Sequence, residues 1–145
     1  MKGYSRVFGF ALLLVFSAQG CGRFKASAAL ASTSWSLQSY GNSSAPTPVL
    51  PGTKITASFA KDGKVSDTAG CNRYSGEFVV SAKRVSMTRL ASTQMYCLEP
   101  DGIMDQESAF LGAMEQATSF EVKGRELRIH MSDGKGALTF LAGPQ

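Results

Sequence analysis

The stretch Lys54-Ile55-Thr56-Ala57-Ser58-Phe59, followed by Ala60 and the turn Lys61-Asp62-Gly63-Lys64, decides the fold class of this chain. Polar and apolar residues alternate through residues 54–59, which is the period of a strand with one buried face. The dipeptide Asp62-Gly63 suits a tight hairpin, because glycine accepts the positive φ of a type I′ turn. Val65 then begins a return strand that we expect to end near Gly70. Antiparallel hairpins are therefore predicted.

The same period of two recurs on both sides of this hairpin. Strand-like apolar segments occur at Trp35-Ser36-Leu37, Tyr74 to Val80, Val85 with Met87, Phe120 with Val122, Leu127 to Met131, and Ala137 to Leu141. Glycine-containing turns at residues 123–125 and 132–135 separate the last three of these segments. The pattern predicts about seven or eight short strands.

One segment between the strands has the period of a helix instead. Apolar residues recur there at steps of seven, four and three: Ile103, Phe110, Met114 and Ala117. Asp101 is predicted to be the N-cap, and the acids Asp105 and Glu107 favour a helix start. The predicted fold is mainly β (α+β): an antiparallel, strongly curved sheet or small cracked barrel of about seven to eight strands, packed by one α-helix at about 102–117.

The first twenty residues have the three parts of a secretory signal. Lys2 and Arg6 form a basic start, residues 7–16 are an apolar run, and residues 17–20 are small or polar. The run is too short to span a bilayer, which needs about 20 apolar residues. A buried N-terminal helix is the alternative, but no polar face interrupts the run.

The residues before Cys21 predict how this signal ends. A lipoprotein signal places small residues before a cysteine that becomes lipidated and N-terminal, and Ala18-Gln19-Gly20 fits except at Gln19. Ordinary cleavage after Ala26-Ser27-Ala28 or Ala29-Leu30-Ala31 is the alternative. We favour lipidation of Cys21, whose acyl chains would contribute roughly 0.8 kcal/mol per buried CH₂. The predicted division is a signal peptide at 1–20, a lipidated N-terminus and flexible tether at 21–33, and one domain at 34–143.

The composition of the 145 residues limits the chemistry of the chain. Three Cys and one His are too few for a common zinc, haem or iron–sulfur site, so we expect no metal and no cofactor. The chain has 15 Lys+Arg and 11 Asp+Glu, and loss of residues 1–20 removes Lys2 and Arg6. That nearly neutral balance argues against nucleic acid as a partner.

Few side chains remain that could carry a reaction. His130 has the opposite parity to the apolar residues of its strand, so we expect it to face solvent rather than to act in a Ser-His-Asp triad. The three acids around the predicted helix start lack the spacing of a calcium loop. Four cations in the middle of the chain are interpreted as solvated strand edges: Arg73, Lys83, Arg84 and Arg89.

Cys71 and Cys97 remain as a pair once Cys21 is assigned to the lipid. An exported chain lies in an oxidising compartment, where such a pair is normally bridged. In the chain-entropy model, closing the loop of 27 residues stabilises the fold by roughly 3.5 kcal/mol. A redox-active pair is the alternative, but it usually needs Cys-x-x-Cys spacing, which these two residues do not have.

Two cysteine motifs resemble those of a known family. Gly70-Cys71-Asn72-Arg73-Tyr74-Ser75-Gly76-Glu77-Phe78 is similar to the Gly-Cys-Asn-x-x-x-Gly-x-Tyr signature of the META/HslJ family, with Phe78 in place of tyrosine. Ser92-Thr93-Gln94-Met95-Tyr96-Cys97 resembles the family's Thr-x-Met-x-Cys motif, although Tyr96 replaces a small residue. The resemblance covers about residues 34–142 and implies structural roles for seven motif positions: Trp35, Gly70, Asn72, Gly76, Phe78, Thr93 and Met95.

The resemblance implies a mostly β domain with a helix, a Cys71–Cys97 disulfide and no agreed enzyme activity. Members are bacterial envelope or secreted proteins, often lipoproteins, and the HslJ name records heat-shock inducibility. We therefore expect a non-enzymatic, lipid-anchored monomer that acts in envelope stress or integrity. Because Gly22 is not the Asp of inner-membrane sorting, we expect it on the periplasmic face of the outer membrane.

A second hypothesis comes from the binding class. META folds are similar to the cracked barrels of secretin pilotins, which are small lipoproteins that chaperone outer-membrane subunits. The resemblance therefore also allows a pilotin-like or inhibitor-like module that holds an envelope protein or an acyl chain in the barrel or in a groove beside the helix. This rests on analogy of fold alone.

Overall fold

The computed structural model describes residues 29–31 and 33–143. The predicted signal peptide and Cys21 lie outside the described residues. The elements, in chain order, are β1 (Ser34–Tyr40), β2 (Thr47–Pro48), β3 (Thr56–Phe59), β4 (Lys64–Thr68), β5 (Arg73–Ser81), β6 (Arg84–Ser92), α1 (Ile103–Glu115), β7 (Ala117–Lys123), β8 (Glu126–Met131) and β9 (Ala137–Ala142).

Eight of these strands close into an antiparallel barrel. Strand β1 pairs with β3, each later strand pairs with the next, and β9 returns to pair with β1. The two-residue strand β2 lies on β1 beyond its contact with β3. The predicted mainly β fold, a small barrel with one packed helix, is confirmed.

The predicted hairpin between β3 and β4 forms, but its turn is not type I′, because Gly63 has a positive φ and Asp62 does not. Gly63 has a φ of 86°, and its N–H donates to the carbonyl of Ala60 at 3.1 Å. The Asp62 carboxylate accepts a bond from the N–H of Lys64 at 3.2 Å. This turn aligns β3 with β4, where Phe59 lies opposite Val65. Both of these side chains are buried, so the period of two correctly placed the core face.

Two ends of the barrel can be distinguished, because successive connections of an antiparallel meander lie at opposite ends. The hairpin end carries the turns at residues 60–63, 82–83 and 124–125, together with Ser34 and Gly143, whose backbones are bonded at 2.8 Å. The helix end carries α1 and the connections at residues 41–55, 69–72, 93–102 and 132–136.

Helix α1 covers the helix end through an aromatic cluster. The fully buried ring of Phe110 meets Tyr74 and Phe140 edge to face, with ring centroids 5.4 and 6.4 Å apart. The predicted helix at about 102–117 is slightly too long, since Ala117 already belongs to β7. The predicted N-cap is wrong: Gly102, at φ 84°, occupies that position, and no side chain caps the helix.

The fold begins before the strand that was expected to open it. Leu30 and Ala31, which the composition placed in the tether, are buried. The carbonyl of Leu30 accepts a bond from Trp35 Nε1 at 3.1 Å, and Ala31 forms a bridge with Phe59. The buried apolar residues of the described chain extend from Leu30 to Phe140, and most of them pack in one hydrophobic cluster.

The seam between β6 and β7 is the most weakly paired in the barrel. These strands share one register pair, Arg84 with Ser119, whereas β8 and β9 share five. One further bond runs from the N–H of Phe120 to the carbonyl of Lys83 at 2.9 Å. Beyond this point, α1 packs against β6. The barrel is therefore closed, but the β6–β7 seam has fewer paired residues than the other seams.

Candidate functional site

Asn72 is the centre of a buried hydrogen-bond network at the helix end. Its side chain is 1% exposed. Its Nδ2 donates to the carbonyl of Met95 at 3.0 Å and to Glu107 Oε1 at 2.7 Å. Its Oδ1 accepts from the N–H of Met95 at 2.8 Å and from Thr93 Oγ1 at 2.7 Å. The amide thus uses both donors and both lone pairs, which fixes residues 93–95 against the start of β5.

Glu107 completes this network from α1. Its carboxylate, 4% exposed, accepts bonds from the backbone N–H groups of Asn72 at 2.7 Å and Cys71 at 3.1 Å, besides the bond from Asn72 Nδ2. No Lys, Arg or His of the described residues lies within salt-bridge distance of it. Three N–H donors therefore stabilise a buried carboxylate, as hydrogen bonds to a charged acceptor can.

Gln106 fixes a second connection to the same helix. Its Oε1 accepts a bond from the N–H of Leu50 at 2.7 Å, and its Nε2 donates to Thr53 Oγ1 at 3.0 Å. The side chain is 1% exposed. Adjacent residues of α1 therefore hold the 41–55 connection and the turn at 69–72.

The predicted disulfide between Cys71 and Cys97 is present. It joins the turn before β5 to the segment after β6, directly beside Asn72. The N–H of Cys97 also donates to the sulfur of Met104 on α1 at 3.5 Å. The disulfide and the Asn72 network thus fix the same segment, residues 93–97.

Side chains of that fixed segment are exposed and apolar. Met95, Tyr96 and Leu98 are 55%, 78% and 78% exposed, and we refer to these three residues as the apolar loop. Met95 was predicted to be a structural motif residue; its backbone has that role, but its side chain faces solvent. The loop is followed by the exposed acids Glu99 and Asp101. Rigid backbone and exposed apolar side chains together are typical of an interaction surface.

The seven motif positions separate into two groups. Gly70, Asn72, Thr93 and Met95 lie together at the helix end, and Gly70 adopts a φ of 117° there. The other three positions are Trp35, Gly76 and Phe78.

These remaining positions are packing residues of the barrel wall. Phe78 meets Phe59 edge to face with centroids 5.0 Å apart, in the place where the family has a tyrosine. A Cβ at Gly76 would lie 2.6 Å from Leu90 Cδ2 and 3.0 Å from the carbonyl oxygen of Thr88. The pairing of β5 with β6 shifts register at this point, next to Arg89, whose φ is 54°. Gly76 therefore allows a close approach of two strands.

Two further titratable side chains, His130 and Tyr74, lie outside this network. His130 is 40% exposed and lies 3.7 Å from Glu121. Burial, together with the nearby negative charge of Asp67, raises the pKa of Tyr74, whose hydroxyl donates to the carbonyl of Thr56 at 2.9 Å. Within residues 29–31 and 33–143, no three His, Cys, Asp or Glu side chains gather around a possible metal position.

Sequence reasoning missed Gln106 and the role of Glu107, which it assigned to the helix dipole. A signal was present. Glu107 lies four residues after Ile103 and three before Phe110, in the middle of the apolar stripe. A carboxylate on the buried face of a helix needs partners, which this network supplies.

The barrel and this network define a class of small antiparallel β-barrels that one helix covers and a disulfide fixes. The chain belongs to the META domain family, whose model matches residues 28–143. In the part of the chain described, no helix is long and apolar enough to cross a bilayer.

Solved structures share this fold. The chain is similar to a protein from Burkholderia xenovorans, known from an NMR structure, with a TM-score of 0.70, 24% identity, and 95% of this chain and 100% of that chain covered. A crystal structure of a DUF4847 family protein from Bacteroides vulgatus ATCC 8482 has a TM-score of 0.59 at 14% identity, covering 80% of this chain and 96% of that chain. No curated protein sequence matches the chain.

Proposed function

We propose that this META-family protein is a non-enzymatic, lipid-anchored protein of the cell envelope that acts in envelope stress or integrity. Acyl chains on Cys21 would hold it at the periplasmic face of the outer membrane. The support for the anchor is the apolar run at residues 7–16, which ends shortly before Cys21. The residue after it, Gly22, is not an inner-membrane sorting signal.

The disulfide is the observation that carries this proposal. Its Cα atoms lie 5.9 Å apart, on either side of the buried Asn72 network. Because disulfides persist in oxidising compartments and are rare in the cytosol, the bond supports export of the chain. With Cys71 and Cys97 paired, Cys21 is the remaining cysteine of the three in the sequence.

A non-enzymatic role is supported by what the buried polar side chains do. Asn72, Gln106 and Glu107 each bond to protein groups, and these bonds hold connections of the barrel. Asn72 and Glu107 direct their polar atoms at backbone groups, at each other and at the Thr93 hydroxyl rather than into a pocket. Such groups stabilise the fold and are not placed to activate a substrate.

Mass spectrometry of the membrane fraction tests the anchor. Cells expressing the full chain should yield a product that begins at Cys21 and carries a diacylglyceryl group. A Cys21→Ala variant should lose palmitate labelling, and a Cys71→Ala, Cys97→Ala variant should keep it, because acylation precedes folding. A soluble product beginning near Ser32 would contradict the anchor.

The physiological role is tested by complementation. A deletion strain should take up a large hydrophilic antibiotic more readily after heat or envelope stress. The wild-type chain should restore the barrier, whereas Cys21→Ala should not. Equal complementation by both chains would show that the role does not need the anchor, and an unchanged barrier in the deletion strain would refute the role.

The apolar loop favours a second candidate function, a module that binds an envelope protein. Met95, Tyr96 and Leu98 are presented on a backbone that Asn72 and the disulfide already order, so binding would cost little additional ordering. A photocrosslinking residue at Tyr96 should capture one defined protein in cells, and the same residue at the exposed control Val79 should not. Equal products at both positions would refute this candidate.

A further inference from the structure

The N-terminal segment enters the domain at the hairpin end of the barrel, where β1 begins at Ser34. A depression lined by Ala29 and Thr33 also includes Arg125, and a second, lined by Thr33 and Ser34, also includes Lys61. Two hairpin tips therefore flank the entry. The third tip, at residues 82–83, lies at the same end by the alternation of the strands.

Each of these three tips carries two cations. All six are exposed, and we refer to them as the basic rim: Lys61, Lys64, Lys83, Arg84, Lys123 and Arg125. The same tips, residues 61–64, 83–84 and 123–126, contain two acids, Asp62 and Glu126.

Two rim lysines form surface pairs. Lys64 lies 3.6 Å from Asp62, and Lys123 lies 2.8 Å from Glu121. Exposed pairs of this kind are weak, about 0–1 kcal/mol, so the lysines can exchange them for a stronger anionic surface.

The opposite end has the opposite sign. The connections at the helix end, together with α1, contain six acids: Glu99, Asp101, Asp105, Glu107, Glu115 and Asp133. The same segments contain two cations, Lys54 and Lys135, and Arg73 begins β5 at this end. One of these acids, Glu107, is buried in the Asn72 network, and Glu99, Asp101 and Asp105 are exposed. The two ends of the barrel therefore differ in the sign of their excess charge. If the cations were only solvated residues of strand edges, we would expect them to be mixed with acids over the whole surface.

We propose that the basic rim docks the domain on an anionic lipid surface. The proposal rests on the proposed function, because a lipid on Cys21 would bring this end of the barrel to the bilayer. Lipid is favoured over a protein partner because two tips of the rim flank the entry of the N-terminal segment and the third lies at the same end of the barrel. Anionic lipids attract clustered Lys and Arg, and the attraction falls off within a Debye length. Docking would direct the acidic helix end and the apolar loop away from the membrane.

Vesicle binding by the unlipidated chain tests the rim separately from the anchor. A chain of residues 22–145 includes the described core from Leu30 to Phe140 and every strand of the barrel, so we expect it to fold without acyl chains. Partition is measured by co-sedimentation with phosphatidylcholine vesicles and with vesicles that also contain the anionic lipid phosphatidylglycerol. We expect binding to the anionic vesicles alone, reversed at about 0.5 M salt.

Two matched double variants locate the effect. Lys83→Gln with Arg84→Gln removes two rim cations and should weaken partition about 25-fold, since each cation near the surface contributes about five-fold. Lys54→Gln with Lys135→Gln removes two exposed cations from the helix end and should change partition less than about two-fold. Circular dichroism verifies that both variants are folded.

Three results would overturn the proposal: no binding to anionic vesicles at low salt, equal binding to both vesicle types, or equal losses in the two double variants. None of these depends on acylation, because the tested protein carries no lipid. The vesicle assay therefore tests membrane docking by the rim, and mass spectrometry of Cys21 separately tests lipid anchoring. Failure of one proposal can be distinguished from failure of the other.

Discussion

The two ends of this barrel are built by different means. At the helix end, the bonds from Asn72 and Cys71 to Glu107 join residues 35 and 36 positions apart, and the bond from Leu50 to Gln106 spans 56. At the hairpin end, the Asp62 turn is held by a bond across two residues. The helix end therefore presents a defined shape, the apolar loop, whereas the hairpin end presents charge on turns that need little support.

The largest loss of stability is expected from a substitution at Asn72, the centre of the buried network at the helix end. Asn72→Ala would leave the buried carboxylate of Glu107 and the backbone of Met95 short of partners, and should lower the free energy of unfolding by about 4 kcal/mol. Asn42→Ala is the matched control, because its exposed side chain bonds only to Ser44 in the described residues. Urea unfolding should show a loss of about 1 kcal/mol or less there. Equal losses would remove the contrast between buried network and exposed turn.

Removal of the disulfide should have nearly as large an effect. Cys71→Ser with Cys97→Ser should destabilise the domain by about 3.5 kcal/mol, because the unfolded chain gains loop entropy. Limited chymotrypsin digestion should then cut after Tyr96 faster than in wild type, while sites at the hairpin end keep their rates. A variant that loses stability without faster cleavage at Tyr96 would show that the bond does not order the apolar loop.

Gly76, in the barrel wall between the ends, can be compared with Gly112 of α1. In Gly76→Ala, the new Cβ would meet Leu90 Cδ2 at 2.6 Å and the carbonyl of Thr88 at 3.0 Å, so we expect a loss of about 2 kcal/mol. In Gly112→Ala, no atom lies within 4 Å, and the helix should gain about 0.8 kcal/mol. Thermal unfolding should move in opposite directions, and a shared sign would contradict the close approach at β6.

Alkaline pH tests the buried Tyr74 near the helix end. Its pKa is raised from 10.0 by burial and by Asp67. Above pH 10 the unfolded state therefore loses a proton that the folded state keeps, and stability should fall by about 1.4 kcal/mol per pH unit. Denaturant titrations should show a smaller slope for Tyr74→Phe. Identical slopes would mean that other groups cause the alkaline loss.

The smallest effect is expected at the hairpin end. Lys83→Gln with Arg84→Gln should change the free energy of unfolding by about 0.5 kcal/mol or less, because both side chains are exposed. The same variant is expected to lose vesicle binding. A large loss of stability in this variant would show that the basic rim supports the fold. The helix end, which stabilises the fold, would then no longer differ in this respect from the charged hairpin end.

Local patterns in the sequence predicted most of the fold. The turn at Asp62-Gly63 depends on adjacent residues, and the strand parity of Phe59 and Val65 correctly placed the core. Strand β6 was predicted as a short strand around Val85 and Met87, but it extends to Ser92, because the bulge at Arg89 breaks the alternation.

The network at the helix end could not be predicted in the same way. Glu107 receives its hydrogen bonds from Cys71 and Asn72, which are distant in sequence. No local sequence pattern predicts that these residues are in contact. The position of Glu107 within an apolar stripe signals that some partner exists, but not which one. The exposure of Met95 and Tyr96 likewise follows from the tertiary position of the segment rather than from its composition.

The sparse pairing of β6 with β7 has a dynamic consequence. A cylinder of strands with one lightly bonded seam can open there into a curled sheet while every other ladder stays intact. Since α1 connects these same two strands, an opening that moved the helix would have to break the contacts of Phe110 with Tyr74 and Phe140. It would also have to break the hydrogen bonds of Gln106 and Glu107 to the connections at 41–55 and 69–72. Local unfolding would then expose the interior of the barrel without separating the hairpins.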